Sequence, residues 1–291
     1  MTPIFILSCE RAGSTLLRYV VDTHPDLCSP AELYLGRTLD ALKVTLERST
    51  ALLQPKEVQK AFVISELRRV CGGILDDYAR QKGKRHWCEK TPLNLRSLGL
   101  IDEVFPDARH ICLHRNCMDV VHSALEAGRY GFVEGLEPYI VRNPTNTVAA
   151  MAGSWVEKTE QLLEFERSRP ERCFRMKYEA VVFDPAATLA PMFDFLGVAW
   201  DPALLLQVFK TTHDQGEGNA GDRKIRLTRR IERRVGSGST ISRDLLPSGL
   251  LERVNQILRK LEYPEIGPDW DRAPSPYVPR GGTSAPWGAA R

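Results

Sequence analysis

"FILSCERAGSTLLRYVVDTHP", residues 5–25, runs from an apolar stretch through a polar turn with one glycine into an amphipathic segment. The pattern reads as a buried strand, a loop and a helix over residues 14–23, ended by His24-Pro25. A loop at that junction suits an anion, because the N–H groups that open a helix are unsatisfied and the helix dipole is positive there. Gly13 lets a ligand approach the backbone, and Arg11 adds a fixed positive charge. An ATP-binding loop needs a second glycine and a lysine before its hydroxyls, and Ser14-Thr15 follow Ala12-Gly13 instead. The other reading is an ordinary strand-to-helix turn with Ser14 as the N-cap.

Strands and helices alternate along the rest of the chain. Residues 3–7, 86–91, 108–115 ("ARHICLHR") and 172–179 ("RCFRMKYE") read as strands. Helices are expected near Leu39, Leu42 and Leu46, then over 56–80 with a weak point at Gly72-Gly73. Further helices are expected over 95–105, 116–127, 147–167, 186–196, 202–210 and 249–261. Asn116 reads as an N-cap with Asp119 in capping-box position. Such alternation predicts an α/β fold in three layers, a mostly parallel central sheet flanked by helices. Residues 216–238 read as loop. One domain is expected over 1–272, and the Pro-, Gly- and Ser-rich residues 273–291 read as a disordered tail.

A chain of 291 residues, 43% hydrophobic and 26% charged, has the make-up of a water-soluble globular protein. Its seven cysteines contain no C-x-x-C pair, which speaks for reduced thiols and a cytoplasmic setting. No basic leader precedes the first strand, and no run approaches the ~20 apolar residues of a membrane span. The net charge of +3 is too small to imply nucleic acid, although residues 223–234 hold seven Arg/Lys in twelve positions. No aromatic side chain is interleaved among them, which argues against single-strand stacking. The six histidines show no metal-ligand spacing, and no metal site is assigned.

A second anion site is expected at "RNCMDVVHS", residues 115–123. Arg115 ends a strand, where open α/β sheets place ligands, and Asp119 and Ser123 share one face of the helix that follows. The competing reading has Asp119 as a helix cap with Arg115 as its ion-pair partner. Two such turns on one sheet suit a ligand with two separated phosphate groups.

These stretches resemble the sulfotransferases that use PAPS (3′-phosphoadenosine 5′-phosphosulfate), whose nucleotide fold is P-loop-like. "CERAGSTLL" is similar to their 5′-phosphosulfate loop, matching at Arg11, Ala12, Gly13, Ser14 and Thr15. "RNCMDVVHS" resembles the 3′-phosphate segment at Arg115, Asp119 and Ser123. "KYEAVVFDP" looks like the strand-end element that brings Tyr178 beside the nucleotide. "GDRKIRLTRRIERRVGSG" is similar to the late basic loop, implying roles for Arg233, Arg234 and Gly236, although its glycines are offset from the commonest animal form. Arginine at position 11 is usual in the bacterial and Golgi-type branch. "HPDLCSPAE" resembles the tyrosylprotein branch at His24, Pro25, Asp26 and Glu32, where the glutamate is the base. Lys90 falls at a position near the sulfuryl group.

The resemblance implies transfer of the sulfuryl group of PAPS to an acceptor hydroxyl, less readily an amine, with no metal. Arg11, Lys90 and Glu32 would be catalytic. Glu89 is a second candidate base, expected to be weakened by pairing with Lys90. Residues 33–56 and 130–143, with Tyr130, Phe132 and Tyr139, would face the acceptor. Their apolar and aromatic character favours a lipid, polyketide-type or phenolic small molecule. A P-loop kinase and a non-catalytic nucleotide-binding module are the alternatives.

Overall fold

The computed structural model describes residues 1–52, 55–128, 135–214, 225 and 227–270. The expected tail, 273–291, lies outside them, as do Tyr130, Phe132 and Arg223.

Five parallel strands form one sheet in the order β2-β3-β1-β4-β5, with β1 Ile4–Leu7, β2 Leu27–Cys28, β3 His86–Glu89, β4 Arg109–His114 and β5 Cys173–Lys177. The β1 side chains are all buried, as a parallel strand covered on both faces requires. Alternate residues leave a strand on opposite sides. Ile4 and Ile6 join a core with α1 (Ser14–Thr23), Met176, Leu189 and Phe193. Phe5 and Leu7 join another with Trp87, Leu39 of α2 (Leu35–Thr50), Leu67 of α3 (Lys56–Leu67) and Ile101 of α5 (Leu98–Val104). A helical layer therefore covers each face, giving the expected three layers. A third core packs α6 (Cys117–Gly128) against α8 (Thr147–Ser168) and the last described helix, Ser248–Lys260. Tyr139 of α7 (Glu137–Arg142) packs against that core.

Several segments differ from the sequence reading: α7 is not among the expected helices, and the strand expected over 172–179 ends at Lys177, where a short helix, Tyr178–Phe183, begins. β2 is not among the expected strands: two residues are too few to show a period, and pairing with His86 and Trp87 alone defines the strand. The expected helix over 56–80 is α3 and α4 (Gly73–Gln81), joined by a π turn at Arg68–Gly72. The widened turn falls at the glycine pair, where helix propensity is lowest. The expected helix over 202–210 is only a 3₁₀ turn, Pro202–Leu206. Leu206 is left 70% exposed there, so little apolar burial is available to propagate a helix.

The loops after β1, β3 and β4 all leave the C-terminal edge of the sheet. With β1 between β3 and β4, that edge holds the crevice where open α/β sheets bind ligands.

Candidate active site

The turn after β1 alternates two left-handed residues, Arg11 (φ 66°) and Gly13 (φ 96°). Gly13 rather than Ser14 is the N-cap of α1, and Leu16 N–H bonds its carbonyl at 3.0 Å. The Tyr178 ring packs against this glycine. A Cβ at position 13 would fall 2.3 Å from Tyr178 Cδ2, so the turn is restricted to glycine by both conformation and space.

Lys90 follows β3 and is 2% exposed. Its ammonium donates to Thr15 Oγ1 at 3.4 Å and to Glu32 Oε1 in a short ion pair. Burial pushes the Lys90 pKa down, and the Glu32 charge opposes that shift. Pairing of Lys90 with Glu89 is not what forms. Neighbouring residues at a strand end point to opposite sides, and Glu89 turns away to accept from Thr91 Oγ1 (2.6 Å), Leu33 N–H (3.4 Å) and Asn94 Nδ2. Burial raises the Glu89 carboxyl to about 7, outweighing those hydrogen bonds and the nearby lysine. The expectation of a weakened Glu89 is therefore reversed.

Arg115 ties three segments together. One terminal nitrogen donates to Arg11 O at 2.9 Å, the other to Arg234 O at 2.6 Å, and the guanidinium stacks 4.3 Å above the Tyr178 ring. Its Nε is buried with no hydrogen-bond partner. Ser123 Oγ accepts from Arg11 Nε at 3.2 Å, so the two expected anion turns meet. Neither half of the capping reading of Asp119 holds. Its oxygens accept Gly236 N–H and Gly238 N–H, both at 2.8 Å. Asn116 caps Met118 N–H at 3.0 Å and gives its own N–H to Glu179. A Cβ at Gly238 would lie 2.4 Å from the Met118 carbonyl carbon, so this loop can dock only as glycine. Of the late arginines, Arg234 reaches the site through its carbonyl while its guanidinium pairs with Glu232 at 2.7 Å. Arg233 lies 5.2 Å from the Phe183 ring centre.

A cleft of about 110 Å³ opens beside the first turn, between Pro92, Leu93, Leu95 and Arg96 on one side and Tyr139, Glu157, Lys158 and Gln161 on the other. Lys158 reaches from α8 to Glu10 at 2.5 Å. Of the expected acceptor-facing aromatics, Tyr139 is described and lines this cleft. The sequence reading passes over Lys158, Glu10 and the docking role of Asp119. Only the "GSG" at 236–238 carries a signal, for a close backbone approach.

Residues 3–202 match the sulfotransferase family. The chain belongs to that family. It is 26% identical over 209 residues to a protein-tyrosine sulfotransferase of Drosophila melanogaster, covering 70% of this chain and 40% of that protein. It spans about half the length of the curated relatives it matches. Its fold is similar to the sulfotransferase domain of the Synechococcus PCC 7002 olefin synthase, with TM-score 0.63 and 25% identity over 90% of this chain and 95% of that one. It is also similar in fold to mouse sulfotransferase SULT7A1 complexed with PAP (adenosine 3′,5′-bisphosphate), with TM-score 0.51 and 17% identity over 89% of this chain and 84% of that one. No described helix of this sulfotransferase-family chain is long and apolar enough to cross a membrane. No cluster of three or more His, Cys, Asp or Glu among the described residues could hold a metal ion.

For this sulfotransferase-family site, Arg115→Ala is expected to remove a charge-assisted contact of ~1.5–3 kcal/mol. Calorimetry should show PAP binding weakened by roughly ten- to a hundredfold, with 5′-AMP scarcely affected. Equal losses for both ligands would make Arg115 a purely structural tie between Arg11 and Arg234.

Proposed function

We propose that this chain moves the sulfuryl group of PAPS to an acceptor hydroxyl, less readily an amine. The observation that carries this reading is the buried Lys90 ammonium, which bridges Thr15 of the anion loop and the Glu32 carboxylate. A cation so placed lies between a donor's leaving group and a group able to take the acceptor's proton. As the acceptor oxygen bonds to sulfur, the bond from sulfur to the 5′-phosphate oxygen breaks. The proton passes to Glu32, and PAP leaves carrying the new charge. Arg11, Lys90 and the loop N–H groups stabilise that charge by preorganised electrostatics, the part played by magnesium in P-loop kinases.

The site's shape suits a donor with two phosphate groups. The Tyr178 ring fills the space that Gly13 leaves at the first turn, and the Arg115 guanidinium, with Ser123 and Gly236, is the group we assign to a 3′-phosphate. Ala12, Ser14 and Thr15 complete the 5′ end. Family membership favours sulfuryl over phosphoryl transfer and a catalyst over a bare nucleotide-binding module. The cleft presents Leu93, Leu95 and Tyr139 opposite Arg96, Glu157 and Lys158, and the aromatic and apolar character of residues 33–56 and 130–143 supports an acceptor that is a small hydroxyl compound of lipid, polyketide or phenolic kind.

Calorimetry and turnover assays in the presence of a chelator test the reading. PAP should bind far more tightly than ATP, and PAPS should be consumed with a mass gain of one sulfuryl group on a hydroxylated acceptor. Tight magnesium-dependent ATP binding would overturn it in favour of a kinase.

A further inference from the structure

Glu32 belongs to a segment whose backbone is held from outside. Tyr34 adopts φ 52°, a left-handed conformation that only glycine adopts easily, so the surroundings must impose it. Tyr34 N–H donates to Thr91 Oγ1 at 3.2 Å, and Gly36 N–H donates to Asn94 Oδ1 at 2.9 Å. The remaining hydrogens of those two side chains converge on Glu89, which also accepts Leu33 N–H. The Thr91 hydroxyl has one hydrogen. Because its oxygen accepts Tyr34 N–H, that hydrogen points to Glu89. Asn94 is oriented in the same way, with its carbonyl on Gly36 and its amide on Glu89. Three donors therefore meet one fully buried carboxyl group, and its ionised form, with two acceptor oxygens, is the one that takes all three. Space adds to the lock: a Cβ at Gly36 would lie 2.8 Å from Ser97 Cβ.

We propose that Glu89 is a positioning residue, which through Thr91 and Asn94 locks the backbone of residues 33–36 and so holds the Glu32 carboxylate against Lys90. The inference rests on the reading of Glu32 as the base. The hydrogen bonds of Glu89 go to Thr91, Asn94 and Leu33, so it acts through the chain that follows Glu32, beside a through-space pull on the Lys90 charge.

The test uses Glu89→Gln, Asn94→Asp and the double variant, read by amide hydrogen exchange and by turnover. In Glu89→Gln the new carboxamide brings an N–H against the Asn94 amide or turns one toward Thr91 and Leu33, so the lock loosens. Exchange at the amides of Leu33, Tyr34 and Gly36 should quicken, and kcat should fall by about 10²-fold with the Kd for PAP unchanged. In the double variant the carboxamide at position 89 donates to the carboxylate at position 94, which still accepts Gly36 N–H. Slow exchange and turnover should both return. Wild-type exchange and turnover in Glu89→Gln, or a double variant no better than the single ones, would overturn the proposal. Should Glu89→Gln not fold, Asn94→Ala must show the same quickened exchange at Gly36 or the proposal falls. A wild-type chain that transfers no sulfuryl group but shows this exchange pattern would count against Glu32 as base and leave the lock standing.

Discussion

Glu32→Gln is expected to lower kcat by on the order of 10²–10⁴, the usual contribution of a placed general base, while PAP still binds. The carboxylate pairs with Lys90, which itself donates to Thr15 of the anion loop, and the substitution changes neither Arg11, Thr15 nor Arg115. The substitution also changes Lys90. Burial already lowers that ammonium's pKa, and the Glu32 charge is its main support. Without the carboxylate Lys90 gives up its proton at a lower pH, so the alkaline fall in the variant's rate profile should move to lower pH. A pH series of kcat on wild type and variant measures both effects. Near-normal turnover in Glu32→Gln would remove it as base.

Lys90→Met is expected to cost about 10²–10³ in kcat, the scale for removing one group that stabilises charge developing in the transition state. Methionine keeps the length and fills the buried volume, so the loss reports charge and not a cavity. It also leaves Glu32, 15% exposed at its side chain, without its ammonium partner. PAP binding should weaken less than turnover, because Arg11, Arg115 and the loop N–H groups also hold the nucleotide. Single-turnover rates set beside PAP affinities separate the two. A variant that loses binding and rate in equal measure would place Lys90 in ground-state binding only.

The parallel sheet is legible in the sequence because β1 is an unbroken apolar run and β4 and β5 carry apolar residues between polar ones, ending at Arg115 and Tyr178. The turns at Arg11–Thr15 and Arg115–Ser123 are legible for the same reason, since strand ends announce themselves. Partner choice is not. Nothing in the spacing of Glu89 and Lys90 says which way each points; a strand's alternation sends one to Asn94 and the other to Glu32. Asp119 sits where a capping box would put it, yet its partners lie 117 and 119 residues away. Only the folded chain brings Gly236 and Gly238 to that carboxylate. β2 escapes a sequence reading because two residues form a strand only through their neighbour's hydrogen bonds.

The guanidinium of Arg115 gathers the carbonyls of Arg11 and Arg234 while it covers Tyr178. Four stretches widely separated along the chain thus share one side chain at the mouth of the sheet. A molecule seated there is a staple across the whole fold and not a guest of one loop. A ligand bound there is therefore expected to raise the melting temperature by a stabilisation that grows as RT ln(1 + [L]/Kd), which a thermal-shift titration with PAP measures.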